Sequence, residues 1–324
     1  MLQYFRGEGD RAVVADQEAP APERPAIGLA LGGGAARGFA HIGVIRTLVA
    51  KGLVPDVITG TSIGAVVGGC FAAGRLDGFE TWGLALTRRR VLSYLDVSFT
   101  GSGLINGARL TEQLATEIGD VTIEQLPQRF AAIATEIGTG HEIWLTRGKL
   151  VEALRASYAL PGIFSPVDIG GRWLMDGALV NPVPVSAARA LGARLVIAVN
   201  LNADLFGRGT TIHDHGPVRE AATETVKAAL ADGRVNAARA AKRQLLGKPG
   251  RPGLSTVMME AFNVMQDRIT RARLAGDPPD VMVSPRLAPI GLFDFHRAAD
   301  AIALGAEATE RAIEPLAEAM AALA

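Results

Sequence analysis

The sequence predicts an α/β fold, a mostly parallel central sheet covered by helices. Three observations predict it. Two short apolar runs, Ile27–Leu31 and Val54–Thr59, each lead into a segment of helical spacing, giving a β-α-β-α order. Between the second run and its helix lies Gly60-Thr61-Ser62-Ile63-Gly64, a Gly-x-Ser-x-Gly turn. The helix that follows, Ile63 to Ala73, is nearly all apolar and must be buried. The chain has 324 residues, 48% of them hydrophobic, enough for a sizeable core.

Taken in order, Met1 to Pro25 carries five acidic and three basic residues with Pro20, Pro22 and Pro25, and has no apolar stretch of the signal-peptide kind. It reads as a flexible tail over 1–25. Ile27-Gly28-Leu29-Ala30-Leu31 is a buried strand. Gly38 to Lys51 is a helix with Phe39, Ile42, Ile45, Leu48 and Val49 on its apolar positions, ending at Gly52. Residues 77–125 read as helical and irregular, a cap over the site. Phe130–Thr135 and Glu142–Thr146 form a hairpin around Gly138-Thr139-Gly140. Leu150 to Tyr158 is a helix stopped by Pro161-Gly162, and Leu195–Asn200 is another buried strand. Residues 203–253 are polar and variable; Val281–Val283 is a last short strand; Asp294 caps a long C-terminal helix.

Composition excludes several classes of function. Zero net charge argues against bulk electrostatic binding to nucleic acid. The single Cys70 rules out an intrachain disulfide and a cysteine-rich zinc site, and reads as a small buried hydrophobe. The His and carboxylate spacings match no standard ligand set, so no metal or other cofactor is expected. No window of 18 apolar residues is present, so no membrane span is expected and a cytoplasmic protein is the default, with peripheral contact at the inner membrane left open.

The chemistry centres on Ser62. A Gly-x-Ser-x-Gly turn from strand to helix is strained, needs glycines beside the serine, and exposes its hydroxyl at the top of a sheet. The following helix adds N–H groups and its dipole. Upstream, Gly32-Gly33-Gly34-Ala35-Ala36-Arg37-Gly38 joins the first strand to the first helix, a nest of N–H groups suited to negative charge. Such a nest fits either a dinucleotide pyrophosphate or the oxyanion of acyl transfer. The dinucleotide pattern requires a third glycine where Arg37 stands and an acidic residue where Gly60 and Ser62 stand, which favours the oxyanion. Arg37 either braces this loop or meets an anionic head group.

The serine needs a base. His41 lies inside the first helix and His141 in the hairpin turn, while His213, His215 and His296 follow in the order an α/β-hydrolase would use. None has a supporting context, and capping or surface roles suit them. Asp176, in Trp173-Leu174-Met175-Asp176-Gly177-Ala178, ends an apolar strand and could reach the serine directly. It could equally be a turn aspartate bonded to its own backbone.

Taken together, the glycine loop running into Phe39-Ala40-His41-Ile42-Gly43-Val44, the Gly60–Gly64 turn, Ala156–Val167 and Asp176-Gly177-Ala178 resemble the patatin-like phospholipase family. The likeness is to its small bacterial members, related to the catalytic domain of neuropathy target esterase. The resemblance covers about 26–202 and extends to Asp277–Asp280 and Asp294–Ala298. It implies a three-layer patatin-like core over 26–202, a variable polar and basic insertion over 203–253, and a C-terminal helical segment over 254–324 packed on the core. It also implies a lipid or other acyl-ester substrate, Ser62 as nucleophile and Asp176 as base. Gly32, Gly33, Gly34 and Ala35 would form the oxyanion hole, with Gly60, Gly64, Arg37, Gly38 and Gly177 as motif positions. Ala35 replaces a glycine of many relatives, which is harmless if its φ is negative.

Arg234, Arg239, Lys242, Arg243, Lys248 and Arg251 give 234–251 six basic residues and no acidic one. The segment fits a basic amphipathic helix on anionic lipid or a solvated helix and loop. Three classes of function compete: a serine acyl-ester hydrolase, a regulatory or binding protein that keeps the hydrolase fold, and a nucleotide-binding module. Ser62 and Asp176 favour the first.

Overall fold

The computed structural model describes residues 24–93, 108–205 and 254–323. The tail 1–23, most of the 203–253 insertion with the basic 234–251 segment, and His213 and His215 lie outside the described residues.

The first unit is β1 (Ile27–Leu31), a 3-10 turn (Ala35–Phe39) and α1 (Ala40–Ala50); the second is β2 (Val57–Thr61) and α2 (Ile63–Ala72). Then come α3 (Leu76–Leu84), α4 (Arg88–Ser93), α5 (Ala108–Ile118), the hairpin β3 (Arg129–Glu136) and β4 (Glu142–Leu145), and α6 (Leu150–Ser157). A second hairpin, β5 (Val167–Ile169) and β6 (Arg172–Asp176), is followed by a 3-10 turn (Gly177–Leu179), α7 (Val185–Ala190) and β7 (Leu195–Val199). The chain closes with α8 (Leu254–Gly276), β8 (Val281–Val283), α9 (Ala298–Glu310) and α10 (Ile313–Ala321).

The sheet runs β5-β6-β3-β2-β1-β7-β8, with β4 on β3. Strands β3, β2, β1, β7 and β8 pair in parallel, whereas β4, β5 and β6 join antiparallel. Alternation along the buried strands divides the core in two. Leu29, Leu31, Ile58, Ile197 and Val199 pack with α1, α2 and α9. Ala30, Val57, Val196 and Ala198 pack on the other face, with Val185 and Ala188 of α7. Strands apolar on both faces are what a sheet covered on both sides requires, and the three layers follow.

Most predicted elements are present within a residue or two. The C-terminal helix is the departure. Asp294 leads into a 3-10 turn (Phe295–Arg297) before α9, and α10 is separate. Its carboxylate accepts from the Gly291 N–H at 2.7 Å and caps no helix N-terminus. Cys70 is buried, its thiol pushed up to about 12 by desolvation. Among the described residues no helix is long and apolar enough to cross a membrane.

Candidate active site

Register in the sheet brings the two halves of the site together. Ile133 of β3 pairs with Thr61 on one edge and with Trp144 on the other; one step on, Ala134 pairs with Ile143 and with Asp176. Strand β4 holds the same edge at both positions. Strand β6 therefore occupies the edge that β2 vacates where it turns into Ser62, and its last residue, Asp176, arrives beside that serine. The Ser62 hydroxyl donates to Asp176 Oδ2 at 2.6 Å.

The turn at Ser62 is strained. Ser62 adopts φ 55° and ψ −125°, in the left-handed region, at a cost of about 1–3 kcal/mol. Two features maintain it. The backbone folds so tightly that a Cβ on Gly60 would collide with Ala65, and one on Gly64 would collide with the Leu31 carbonyl and come within 2.8 Å of the Gly32 carbonyl oxygen. The Ser62 N–H also donates to Ser157 Oγ at 2.9 Å, and that hydroxyl donates onward to the Ile133 carbonyl at 2.6 Å. Ser157 is buried at the end of α6. Gly38 packs against the Ile63 side chain and Gly177 against the Ile133 carbonyl, both too closely for a side chain.

Asp176 is 2% exposed, and its surroundings fix it at every polar atom. Oδ1 accepts from the Ala178 N–H at 2.8 Å, its backbone N–H donates to Ala159, and its carbonyl accepts from Thr135 Oγ1 at 2.8 Å. Thr61 and Thr59 tie the segment after it to β2 through the Asn181 and Pro184 carbonyls, at 2.7 and 2.9 Å. Burial pushes the carboxyl up to about 6, against the opposing pull of the Ser62 hydroxyl and the Ala178 N–H. Both readings of Asp176 hold at once: one oxygen bonds the turn that follows, the other bonds the serine.

The glycine loop is ordered by groups behind it. The N–H of Gly32 donates to Val199 at 3.1 Å and that of Gly33 to Pro182 at 3.0 Å, so these two are spent inside the fold. Gly34 and Ala35 donate from their backbone to no group among the described residues. Ala35 has φ 48°, the positive value that favours glycine, so its methyl is not harmless there. Arg37 is buried and braces the loop: Nε donates to the Ile290 carbonyl at 2.8 Å and Nη1 to Asn202 Oδ1 at 3.2 Å. Asn202 in turn donates to the Gly33 carbonyl at 3.2 Å.

His41 corrects the expectation of a capping or surface role. It is fully buried, and Nε2–H donates to the Gly32 carbonyl at 2.7 Å. Burial lowers its pKa to about 4 despite that bond, so it is neutral around pH 7. Of the other described histidines, His141 and His296, neither is hydrogen-bonded to the serine. His141 is exposed beside Glu136, and His296 accepts from Arg88 Nε at 3.3 Å. Sequence reasoning passed over His41, Ser157, Thr135 and Asn202 as functional positions. Only Ser157 and His41 stood in segments that drew attention, and neither residue type signals a backbone clamp.

Ser62 and Asp176 open into a cavity of about 550 Å³. Its walls are chiefly apolar, with Phe39, Phe79, Trp82, Leu114, Tyr158 and Phe164 among them. Phe79 and Trp82 come from α3 and Leu114 from α5, so the described parts of 77–125 supply walls of the cavity. Such a cavity accepts a hydrocarbon chain, with a bonded Ser–Asp pair where its polar end would lie.

The sequence model described as Patatin-like phospholipase matches residues 29–189. An uncharacterized NTE family protein of Mycobacterium tuberculosis is 33% identical over 339 residues, covering 90% of this chain and 92% of that one. Patatin-like phospholipase domain-containing protein 7 of Rattus norvegicus is 35% identical over 183 residues, covering 54% of this chain and 14% of that one. Among solved structures, VipD from Legionella pneumophila aligns with a TM-score of 0.43 at 15% identity over 90% of this chain and 67% of that one, too weak a likeness to build on.

Proposed function

The chain belongs to the NTE-related patatin-like phospholipase family, and on that premise we propose that it hydrolyses lipid carboxylic esters with Ser62 as nucleophile and Asp176 as general base. The observation that carries this reading is the 2.6 Å hydrogen bond from the Ser62 hydroxyl to a buried carboxylate, both lining a largely apolar cavity. An aspartate raised to about 6 is basic enough to take the serine proton and is still ionised at pH 7.

In the proposed reaction Asp176 accepts the Ser62 proton as Oγ attacks the acyl carbonyl. The carbonyl oxygen becomes an oxyanion, held by the unspent N–H groups of Gly34 and Ala35 and by the N-terminus of α2. The alcohol leaves with the proton from Asp176. Water then attacks the acyl-enzyme and gives a proton to Asp176, which returns it to Ser62 Oγ as the carboxylic acid leaves, restoring both groups. Arg37, His41 and Asn202 act as positioning residues: His41 and Asn202 donate to the Gly32 and Gly33 carbonyls, and Arg37, itself in the loop, ties it to the Ile290 carbonyl and to Asn202.

Fluorophosphonate labelling with the modified peptide mapped by mass spectrometry tests this. The expected adduct is on Ser62, absent in Ser62→Ala and slowed at least ~10³-fold in Asp176→Asn, with ester turnover falling in parallel and folding intact. A folded wild type that neither labels nor turns over esters would point instead to a binding protein on a hydrolase fold.

A further inference from the structure

Helix α8 is apolar on two opposite faces. Met259 and Phe262 turn one face to the cavity that holds Ser62 and Asp176. The other face carries Val257, Met258, Ala261, Val264 and Met265, spaced as a single stripe, and its four larger side chains are 42–60% exposed. The stripe meets its first charge at Arg268. A surface helix ordinarily turns charge outward, so an apolar outer face calls for an apolar partner. Here α8 forms a cavity wall one helix thick, with that face on its far side. Two cavity-lining residues, Phe293 and Arg88, are themselves exposed and so mark the rim. Arg88 begins the exposed Arg88-Arg89-Arg90 run of α4, and α4 packs on the 295–297 turn, which also supplies Phe295 and His296 to the cavity.

These features identify the partner by its chemistry. A long acyl chain does not reach an apolar cavity through water, because each methylene carried from hydrocarbon into water lowers its population about fourfold. The rim therefore has to meet the phase in which the chain is dissolved. Guanidinium groups beside an apolar patch match phosphate over hydrocarbon, the order of groups in a bilayer leaflet. A two-fold contact between copies would instead set the same patch against itself, arginines included. We infer that the outer face of α8, with Phe293 and the Arg88–Arg90 run, is a docking surface for a lipid bilayer, from which a membrane-borne ester passes into the cavity. This assignment rests on the lipid-ester reading for what enters the cavity, whereas docking itself is measured without turnover.

Flotation of the full chain with vesicles of pure phosphatidylcholine tests it on wild type, Met258→Glu/Met265→Glu and Met258→Leu/Met265→Leu. Neither methionine lines the cavity, and Glu and Leu both suit a helix, so urea midpoints should stay near that of wild type. Wild type is expected to float, the Glu pair to partition at least ~tenfold more weakly, and the Leu pair to stay within about threefold of wild type. A second pair, Val257→Gln/Val264→Gln, should weaken flotation in the same direction, so the result does not hang on the folding of one variant. A Glu pair that floats as wild type does overturns the assignment. So does wild type that floats only when anionic lipid is added, which would give the contact to charge alone. A soluble dimer that the Glu pair dissociates would give the stripe to a second copy and overturn it too. Flotation lost in the Glu pair, with Ser62 unlabelled in folded wild type, would sink the hydrolase reading and leave the docking surface standing.

Discussion

On the parallel side of the sheet, β2 ends in Thr61 and the chain delivers Ser62 within five consecutive residues, Gly60 to Gly64. On the antiparallel side, Asp176 arrives through β6, which finds its place only by taking over the edge of β3 that β2 leaves. The serine is held by local strain and by glycines that permit a close backbone approach. The aspartate is held by distant partners: Thr135, Ala159, and the hydroxyls of Thr59 and Thr61 that anchor the following segment. One group is placed by its neighbours in sequence, the other by neighbours in space. Their failure modes should differ accordingly.

The largest effect is expected where the local device is broken. Gly64→Ala puts a methyl against the Leu31 and Gly32 carbonyls, which are backbone and cannot swing aside. It should cost about 3 kcal/mol or more and lower the urea midpoint sharply; a midpoint equal to wild type would show that the elbow relaxes.

Titration separates the two sides next. Asp176 stands at about 6 against 3.8, and His41, behind the glycine loop, at about 4 against 6.5. Folded protein binds the Asp176 proton more readily than unfolded chain does, so that contribution is complete below pH 3.8 and lost as pH rises toward 6. His41 binds its proton less readily when folded, so its contribution is complete above pH 6.5 and lost as pH falls toward 4. Each is worth about 3 kcal/mol, and the two slopes oppose each other between pH 4 and 6. Asp176→Asn should therefore be more stable than wild type at pH 7 and lose stability more steeply on acidification, while His41→Gln should lose stability as pH rises from 4 to 6. Urea titrations from pH 4 to 8 decide this; superimposable profiles for the three proteins would refute it. In wild type, kcat/KM should rise with pH through about 6 as Asp176 ionises.

Ser157 links the two sides, since its hydroxyl holds the Ser62 N–H and the Ile133 carbonyl against which Gly177 packs. Ser157→Ala leaves both groups without that partner. The expected loss is about 1–3 kcal/mol of stability and about tenfold in kcat with KM little changed; a change confined to KM would assign Ser157 to substrate binding. The smallest effect is expected at Ala35, whose φ of 48° costs an alanine more than a glycine. Ala35→Gly should gain up to ~1 kcal/mol in denaturant melts, offset in part by the greater freedom of the unfolded chain.

Much of this protein is legible in sequence because the governing physics is local. The apolar runs from Ile27 and Val54, the helical spacing after each, and the Gly60–Gly64 turn carry the parallel half of the sheet and the serine. A strand buried on both faces has to be apolar throughout, and a strained turn has to be bordered by glycine. The choice between turn residue and serine partner for Asp176 could not be made from Asp176-Gly177, because both roles demand the same dipeptide. The register of β3, by letting β6 follow β2 along one edge, brings the carboxylate to the serine while its other oxygen keeps the turn bond, so both roles are filled. The same holds for the spent N–H groups of Gly32 and Gly33 and for the burial of His41. Each depends on which groups, distant in sequence, remain within hydrogen-bonding reach once the core has closed. Local propensity carries no term for that, whereas packing does.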